Sequence, residues 1–241
     1  MMAPDGDSRR READFVQWLD VVKNDAAVIF LLGDIFDFWF EYRYVVPRGF
    51  VRLLGKLAEL TDSGIPVHFF TGNHDQWVRD YLTHELNIIV HRHSTEFELN
   101  GKMFLIGHGH DNSLEGFIDR VLHVTFSSRF LRMLYASLHP FWGIKFGKNW
   151  SKNTRKRRKQ PKPFKEIEKE HIIRYAQKAL AHKHYDFFVF GHRHLSMDIR
   201  LEENSRYINT GEWIDTRTYA VFDGEDVSLH SAKDEREFLK L

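Results

Sequence analysis

The sequence predicts a layered α/β fold, and three observations carry that prediction. Short apolar runs alternate with stretches of helical periodicity along most of the chain. Four of those runs end on Gly followed by Asp, Asn or His. With 241 residues, 42% hydrophobic and 29% charged, the chain can bury a sizeable core.

The elements follow in order. From Ser8 to Lys23, Phe15, Leu19 and Val22 fall at helical spacing, which predicts a helix packed on a sheet. The run 28–32 is a strand. Phe50 to Ser63 carries Leu53, Leu54, Leu57 and Leu60 and is closed by Gly64 and Pro66, so it predicts a second helix. A strand at 67–71 and a short one at 88–90 come next. Residues 95–99 and 102–106, joined by Asn100-Gly101, predict a β-hairpin. Glu166 to His182 reads as a helix and 187–190 as a strand. Residues 205–209, 219–222 and 227–230 close the chain as β structure, with Asp223-Gly224 as a turn. No repeat is visible, and 1–241 reads as one domain.

Residues 113–165 stand apart. Phe117, Val121, Phe126, Phe130, Leu134, Leu138, Phe141, Trp142, Phe146 and Trp150 recur at roughly helical spacing, with Arg120, Arg129, Arg132, Lys145, Lys148 and Lys152 between them. The segment is an insertion between two ligand-bearing strands and can cover the site as a lid. The basic run 155–159 reads as a solvated loop, with an anionic membrane surface as its functional alternative.

Composition excludes several classes. There is no cysteine, which rules out disulfides, thiolate zinc sites and thiol catalysis. Net charge is +1, so the overall field favours no particular partner, and nucleic acid ranks below a membrane surface as a reading of the basic run and is not expected. The first twelve residues form no apolar signal core, and no apolar stretch approaches the ~20 residues needed to span a bilayer. The expected location is cytoplasmic.

Open α/β sheets hold their ligands at the carboxyl ends of strands. The four runs deliver Asp34, then Asn73-His74-Asp75, then His108, then His192 and His194 to that edge. Asp34, Asn73, His108, His192 and His194 make a metal donor set of oxygen and nitrogen without sulfur, which suits Mn²⁺, Fe or Zn²⁺. A carboxylate such as Asp34 can bridge two ions, and ions ~3.5–4 Å apart serve phosphoester cleavage. His74 would hang over the phosphate, donating a proton to the leaving oxygen or stabilising equatorial oxygens, with Asp75 to orient it. Each residue also has a plainer reading. Asp34 could cap a helix, Asn73 could serve a turn, and the histidines could be buried structural groups.

Together, Gly33-Asp34-Ile35-Phe36-Asp37, Gly72-Asn73-His74-Asp75, Gly107-His108-Gly109-His110 and Gly191-His192-Arg193-His194 resemble the signature of the calcineurin-like metallophosphoesterases, over roughly residues 28–222. The resemblance implies a four-layer α/β/β/α sandwich with two divalent metal ions, Mn²⁺ first, with Fe or Zn²⁺ as alternatives. It makes Asp34 the bridge, puts Asn73, His108 and His192 on one ion and His194 on the other, and makes His74 catalytic. Within that family, Gly33–Trp39, Tyr44–Phe50 and the aromatic-basic insertion are similar to the branch acting on UDP-2,3-diacylglucosamine in lipid A synthesis. That similarity implies hydrolysis of a lipid-linked UDP-sugar to UMP and a lipid 1-phosphate, with peripheral contact at the inner membrane; the insertion would then shelter acyl chains while its cations meet phosphate, which makes Arg120, Lys145, Lys148 and Lys152 the expected substrate-binding residues. Two positions depart from the branch: His74 stands where Arg is frequent, and His110 where an acidic residue is usual. The alternatives are a phosphodiesterase for another nucleotide and a non-catalytic scaffold.

The family's first motif, Asp-x-His, occurs nowhere in this chain. The strand bearing it is expected immediately before Met1, so the chain reads as truncated or started late, with a degenerate member as the alternative. The second ion would then keep only Asp34 and His194 and bind weakly, and a sheet short of a central strand would leave backbone groups unpaired.

Overall fold

Alternation along each strand sorts the side chains into separate layers. The computed structural model describes residues 6–110, 128–157 and 170–233. Strands β1 (Ile29–Leu31), β2 (Val67–Phe70) and β3 (Ile89–His91) form a parallel sheet in that order. On its outer face lie α1 (Gly6–Val22), α2 (Val51–Asp62) and α3 (Tyr81–Leu86). Ile29, Leu31, Val67 and Phe69 point toward them and meet Phe15, Leu19, Leu53, Leu57, Leu60, Leu82 and Leu86. Burying one such leucine contributes about 1.5–3 kcal/mol, and Leu57→Ala would cost about 2–5 kcal/mol.

A second sheet combines β4 (Thr95–Leu99), β5 (Lys102–Gly107), β6 (Phe187–Phe190), β7 (Ser196–Arg200) and β8 (Arg206–Thr210) in the order β4-β5-β6-β8-β7. The β5-β6-β8 centre is parallel and both edges are antiparallel. Phe104, Ile106, Phe187, Val189 and Ile208 face the first sheet, where Phe70, Phe30 and Leu32 meet them. Leu105, Phe188, Phe190 and Tyr207 face the other way, against Ile172, Ile173 and Ala176 of α6 (His171–Leu180). Helix, sheet, sheet and helix thus enclose three apolar interfaces, the predicted four-layer sandwich.

A hairpin of β9 (Thr218–Phe222) and β10 (Val227–Ser231) completes the β structure. Among the described residues, β1 pairs only with β2, and β9 only with β10. Between β1 and β9 lies a cleft of about 1230 Å³, walled by Phe30, Leu32, Phe104, Ala220 and Phe222 and reaching Asp34, His108, His192 and His194.

The predicted elements fall within a few residues of those observed, residues 166–169 of the predicted 166–182 helix lying outside the described residues, with three omissions: a 3-10 turn at Glu202–Asn204, β7 and α3. Strand β7 has mixed polarity, and α3 is short and capped from afar. The buried Glu41 carboxylate accepts the Asp80 and Tyr81 amides at 2.9 and 3.2 Å, as well as the Trp39 indole N–H. In the 113–165 segment, α4 (Arg129–Ala136) and α5 (Pro140–Arg157) are helical as expected. Residues 113–127 and 158–165, with Arg120 and Lys159 among them, lie outside the described residues.

Candidate metal and phosphate site

The site is built where strand ends are pressed together. A Cβ on Gly72 would fall 2.3 Å from Asp34 Oδ1, and one on Gly33 would fall 2.7 Å from both the Gly72 nitrogen and His108 Nδ1. Only hydrogen fits, which explains a glycine before each of these ligands. Asp34, His192 and His194 all have left-handed backbone, with φ of 53°, 65° and 53°. L side chains are held in that region only where surrounding structure over-determines them, and such positions cluster at functional sites.

Asp75 supplies much of that determination. It is wholly buried, and its carboxylate accepts the amides of Gly72 at 2.6 Å, Ile35 at 2.8 Å, and Asp34 and Phe36 at 3.2 Å each. The expectation that Asp75 orients the His74 ring is corrected here, because its oxygens are committed to backbone. The ring is held instead by Asp37 and Ser151: His74 Nδ1 lies 3.0 Å from the Asp37 carbonyl oxygen and 3.0 Å from Ser151 Oγ. The His74 amide donates to Asp34 Oδ1 at 2.9 Å, fixing that carboxylate.

Three predicted ligands share one pocket. His108 donates from Nδ1 to the Leu32 carbonyl at 2.6 Å, which leaves the Nε2 lone pair inward, 3.6 Å from Asp34 Oδ2. His192 Nδ1 lies 3.2 Å from that same Nε2. Two imidazole nitrogens each ~2.0–2.1 Å from one tetrahedral ion sit at about this separation. Asn73 Oδ1 is buried without a hydrogen-bond partner, an acceptor in want of a cation. Asn209, itself buried, donates to the Gly191 carbonyl and holds the 191–194 turn in place.

Asp34, His108 and His192 therefore suit one divalent ion in donor type and in the spacing of His108 from the other two, and Asn73 suits it in donor type. Even so, among the described residues no three His, Asp or Glu side chains converge into a finished cage. His194 stands in the same cleft wall, near enough to feel the Asp34 charge, while the carboxylate of neighbouring Glu212 is committed to the Ile214, Asp215 and Thr216 amides.

Electrostatics follow the packing. Burial pushes the Asp34 carboxyl up, but His108, His74, the His74 amide and His192 outweigh it and hold Asp34 well below the usual carboxylate range. Burial, joined by the Asp34 charge, pushes Asp75 up to about 6 against the pull of the Gly72 and Phe36 amides. His194 is pushed down by burial, which favours the neutral ring a ligand needs.

The expected substrate cations separate. Lys148 is half-buried, its ammonium pushed down by burial against the opposing pull of the Asp37 charge. Lys145 is exposed, with its ammonium over the Phe141 and Trp142 rings at 5.8 and 5.4 Å, and so is occupied within α5. The Lys152 side chain and the whole of Arg120 fall outside the described part of the molecule. Ser151 escaped the sequence reading. Its one signal there was a four-residue spacing of small residues, Gly143, Gly147 and Ser151.

Comparison with known proteins shows the family. A model of the family described as calcineurin-like phosphoesterase matches residues 6–206. The chain is 41% identical over 237 residues to a UDP-2,3-diacylglucosamine hydrolase of Porphyromonas gingivalis, spanning 92% of this chain and 90% of that protein. A Vibrio vulnificus protein of the same name is 27% identical over 131 residues, 54% of this chain and 53% of the relative. A solved structure of a predicted phosphoesterase from Streptococcus pneumoniae superposes with a TM-score of 0.40 at 13% identity, covering 92% of this chain and 83% of that one.

Proposed function

This chain belongs to the calcineurin-like phosphoesterase family, and from that premise we propose that it hydrolyses the pyrophosphate bond of UDP-2,3-diacylglucosamine, or a close relative, to UMP and an acylated sugar 1-phosphate. The observation that carries the reading is the gathering of Asp34, Asn73, His108 and His192 at adjoining strand ends, with His74 beside them and an apolar, cationic helix pair next to it. Identity of 41% across most of both chains to a protein of that name supports the substrate.

Asp34, Asn73, His108 and His192 would hold one divalent ion, and Asp34 with His194 a second, with Mn²⁺ the proposed metal. Bound there, divalent ions would activate water and offset phosphate charge. The chain's own groups do the rest. His108 is fixed in orientation by the Leu32 carbonyl, and Asp34 by the His74 amide. His74 keeps its Nδ1 proton toward Asp37 and Ser151, so the proton given to the leaving phosphate oxygen is the one the doubly protonated ring carries on Nε2, which is left as a bare lone pair. Lys148, half-buried by Asp37, adds positive charge for phosphate.

Helices α4 and α5 support a lipid-facing role. Phe130 is 66% exposed, Trp142 and Phe146 60% each, an apolar face larger than scattered surface residues explain. Residues 128–157 carry Lys or Arg at 129, 132, 145, 148, 152 and 155–157 and no acidic residue. An acylated, phosphate-bearing substrate and an anionic membrane surface both complement such a face.

The test is an assay on UDP-2,3-diacylglucosamine in mixed micelles with Mn²⁺ titrated, UMP followed by mass spectrometry, and soluble UDP-sugars run in parallel. Preference for the acylated substrate, lost in Asp34→Asn and His74→Ala, is the expected result. Equal turnover of soluble UDP-sugars would replace the lipid reading with a general nucleotide phosphodiesterase. No turnover at any metal concentration would favour a non-catalytic binding protein, a reading motivated by the lack of a finished cage among the described residues.

A further inference from the structure

We propose that Ser151, contributed by α5, is a positioning residue that fixes the tautomer of His74 and thereby makes the working form of that ring depend on α5 being seated. The inference rests on the reading of His74 as proton donor.

The seating comes first. On α5, Gly143, Gly147 and Ser151 lie four apart and share one face. A Cβ on Gly147 would fall 2.2–2.6 Å from three ring carbons of Phe38, and one on Gly143 would fall 2.0 Å from the Tyr42 hydroxyl. The helix backbone is thus in direct contact with the segment that follows the Asp34 loop. At that depth Ser151 is 3% exposed, although several aromatic residues of the same helix are open to solvent.

The hydrogen-bond arithmetic comes next. Ser151 Oγ lies 2.6 Å from Asp37 Oδ1, 2.8 Å from the Asp37 carbonyl oxygen and 3.0 Å from His74 Nδ1. A hydroxyl has one hydrogen to give, and the carboxylate is the strongest acceptor in reach. With that hydrogen on Asp37, a lone pair of Oγ faces His74 Nδ1. The Asp37 carbonyl, also an acceptor, faces the same nitrogen at 3.0 Å. Two acceptors on one ring nitrogen require it to carry the proton. His74 is therefore Nδ1–H, and Nε2 is the atom left for chemistry. Ser151 bridges the Asp37 carboxylate to His74, so a residue 77 positions away along the chain takes part in the relay. Without the hydroxyl, the carbonyl alone would have to hold the tautomer.

The test uses Ser151→Ala and Ser151→Thr in the full chain, with two readouts. Nitrogen-15 NMR of the histidine rings in the metal-free protein reports which nitrogen of His74 is protonated. Steady-state kinetics separates kcat from KM. Expected for Ser151→Ala are a loss of the pure Nδ1–H tautomer and a fall in kcat of about tenfold with KM within about twofold. Thermal melting should stay near that of the wild type, and Ser151→Thr should restore the tautomer and most of kcat. An unchanged Nδ1–H signal in Ser151→Ala would overturn the proposal. So would a parallel fall of kcat and melting temperature in both variants with the tautomer intact, which would mean packing alone. If the wild type turns over no substrate, the reaction assignment fails, yet the NMR experiment still decides whether Ser151 sets the tautomer.

Discussion

Replacing Asp75 with alanine should be among the most damaging single changes outside the apolar core. The carboxylate is wholly buried and accepts four amides, two at 2.6 and 2.8 Å and two at 3.2 Å. A hydrogen bond to a charged group contributes ~1.5–3 kcal/mol, and an orphaned buried donor costs ~1–3 kcal/mol. The two short bonds account for most of this. Against them stands the desolvation of a carboxylate that burial already pushes up to about 6, which alanine relieves. Breaking a buried polar network of this kind costs about 3–5 kcal/mol. The loss should be local as well as global, because the Asp34 amide is one of the four and Asp34 is held at φ 53°. Freed from that anchor, Asp34 should bind metal about 10–100-fold more weakly. Urea unfolding followed by tryptophan fluorescence gives the first quantity, and calorimetric titration with Mn²⁺ the second. Asp75→Asn, which keeps one acceptor oxygen, should fall between. A loss under about 1 kcal/mol in Asp75→Ala, with Mn²⁺ affinity unchanged, would refute the reasoning.

Other consequences can be checked together. Gly147→Ala, whose Cβ would fall 2.2 Å from the Phe38 ring, should destabilise by about 1–3 kcal/mol and lower kcat, as unfolding curves and initial rates would show. Mn²⁺ at a hundredfold over its Kd should stabilise the wild type by about 2.7 kcal/mol and leave Asp34→Asn and His108→Ala unmoved in a melting assay. His68 Nδ1 and His91 Nε2 lie 2.8 Å apart with stacked rings, and burial pushes both imidazoles down, His91 adding to the effect on His68. A depressed folded value means the unfolded chain protonates first, so this stability is present above the ordinary 6.5 and is lost as pH falls below it. Melting of the metal-free protein from about pH 7.5 to about pH 5.5 should therefore decline, and decline less in His91→Gln. Trp142→Ser with Phe146→Ser should weaken sedimentation with phosphatidylglycerol vesicles by about tenfold or more, and equal binding would remove the membrane role.

What the sequence disclosed depended on how local each cause was. Strands β1, β2, β5 and β6 are buried on both faces, so they stand out as short apolar runs. Asp34, Asn73, His108 and His192 were legible because each follows a glycine, and at Gly33, Gly72 and Gly107 close packing leaves no room for a Cβ. Strand β7 was not, since Ser196–Arg200 is a mixed-polarity edge that owes its conformation to pairing with β8. Helix α3 was equally hidden, because six residues cannot hold a helix alone and its N-terminal amides are met by Glu41, some forty positions earlier. The roles of Asp75 and Ser151 were misread or missed for one reason: their partners are decided by tertiary contact. Asp75 looked like an orienter of its neighbour and turned out to serve backbone 39–41 positions away.

The left-handed ligands carry a further implication for engineering this chain. Asp34, His192 and His194 each sit where glycine would be more comfortable by ~1–2 kcal/mol. Selection for heat resistance alone, carried out without metal, would be drawn to glycine at these three positions. It would return sturdier molecules with the donor set dismantled. A useful stabilisation campaign must therefore screen with the cation present, or freeze positions 34, 192 and 194 and look for its gains in the apolar interfaces between the layers.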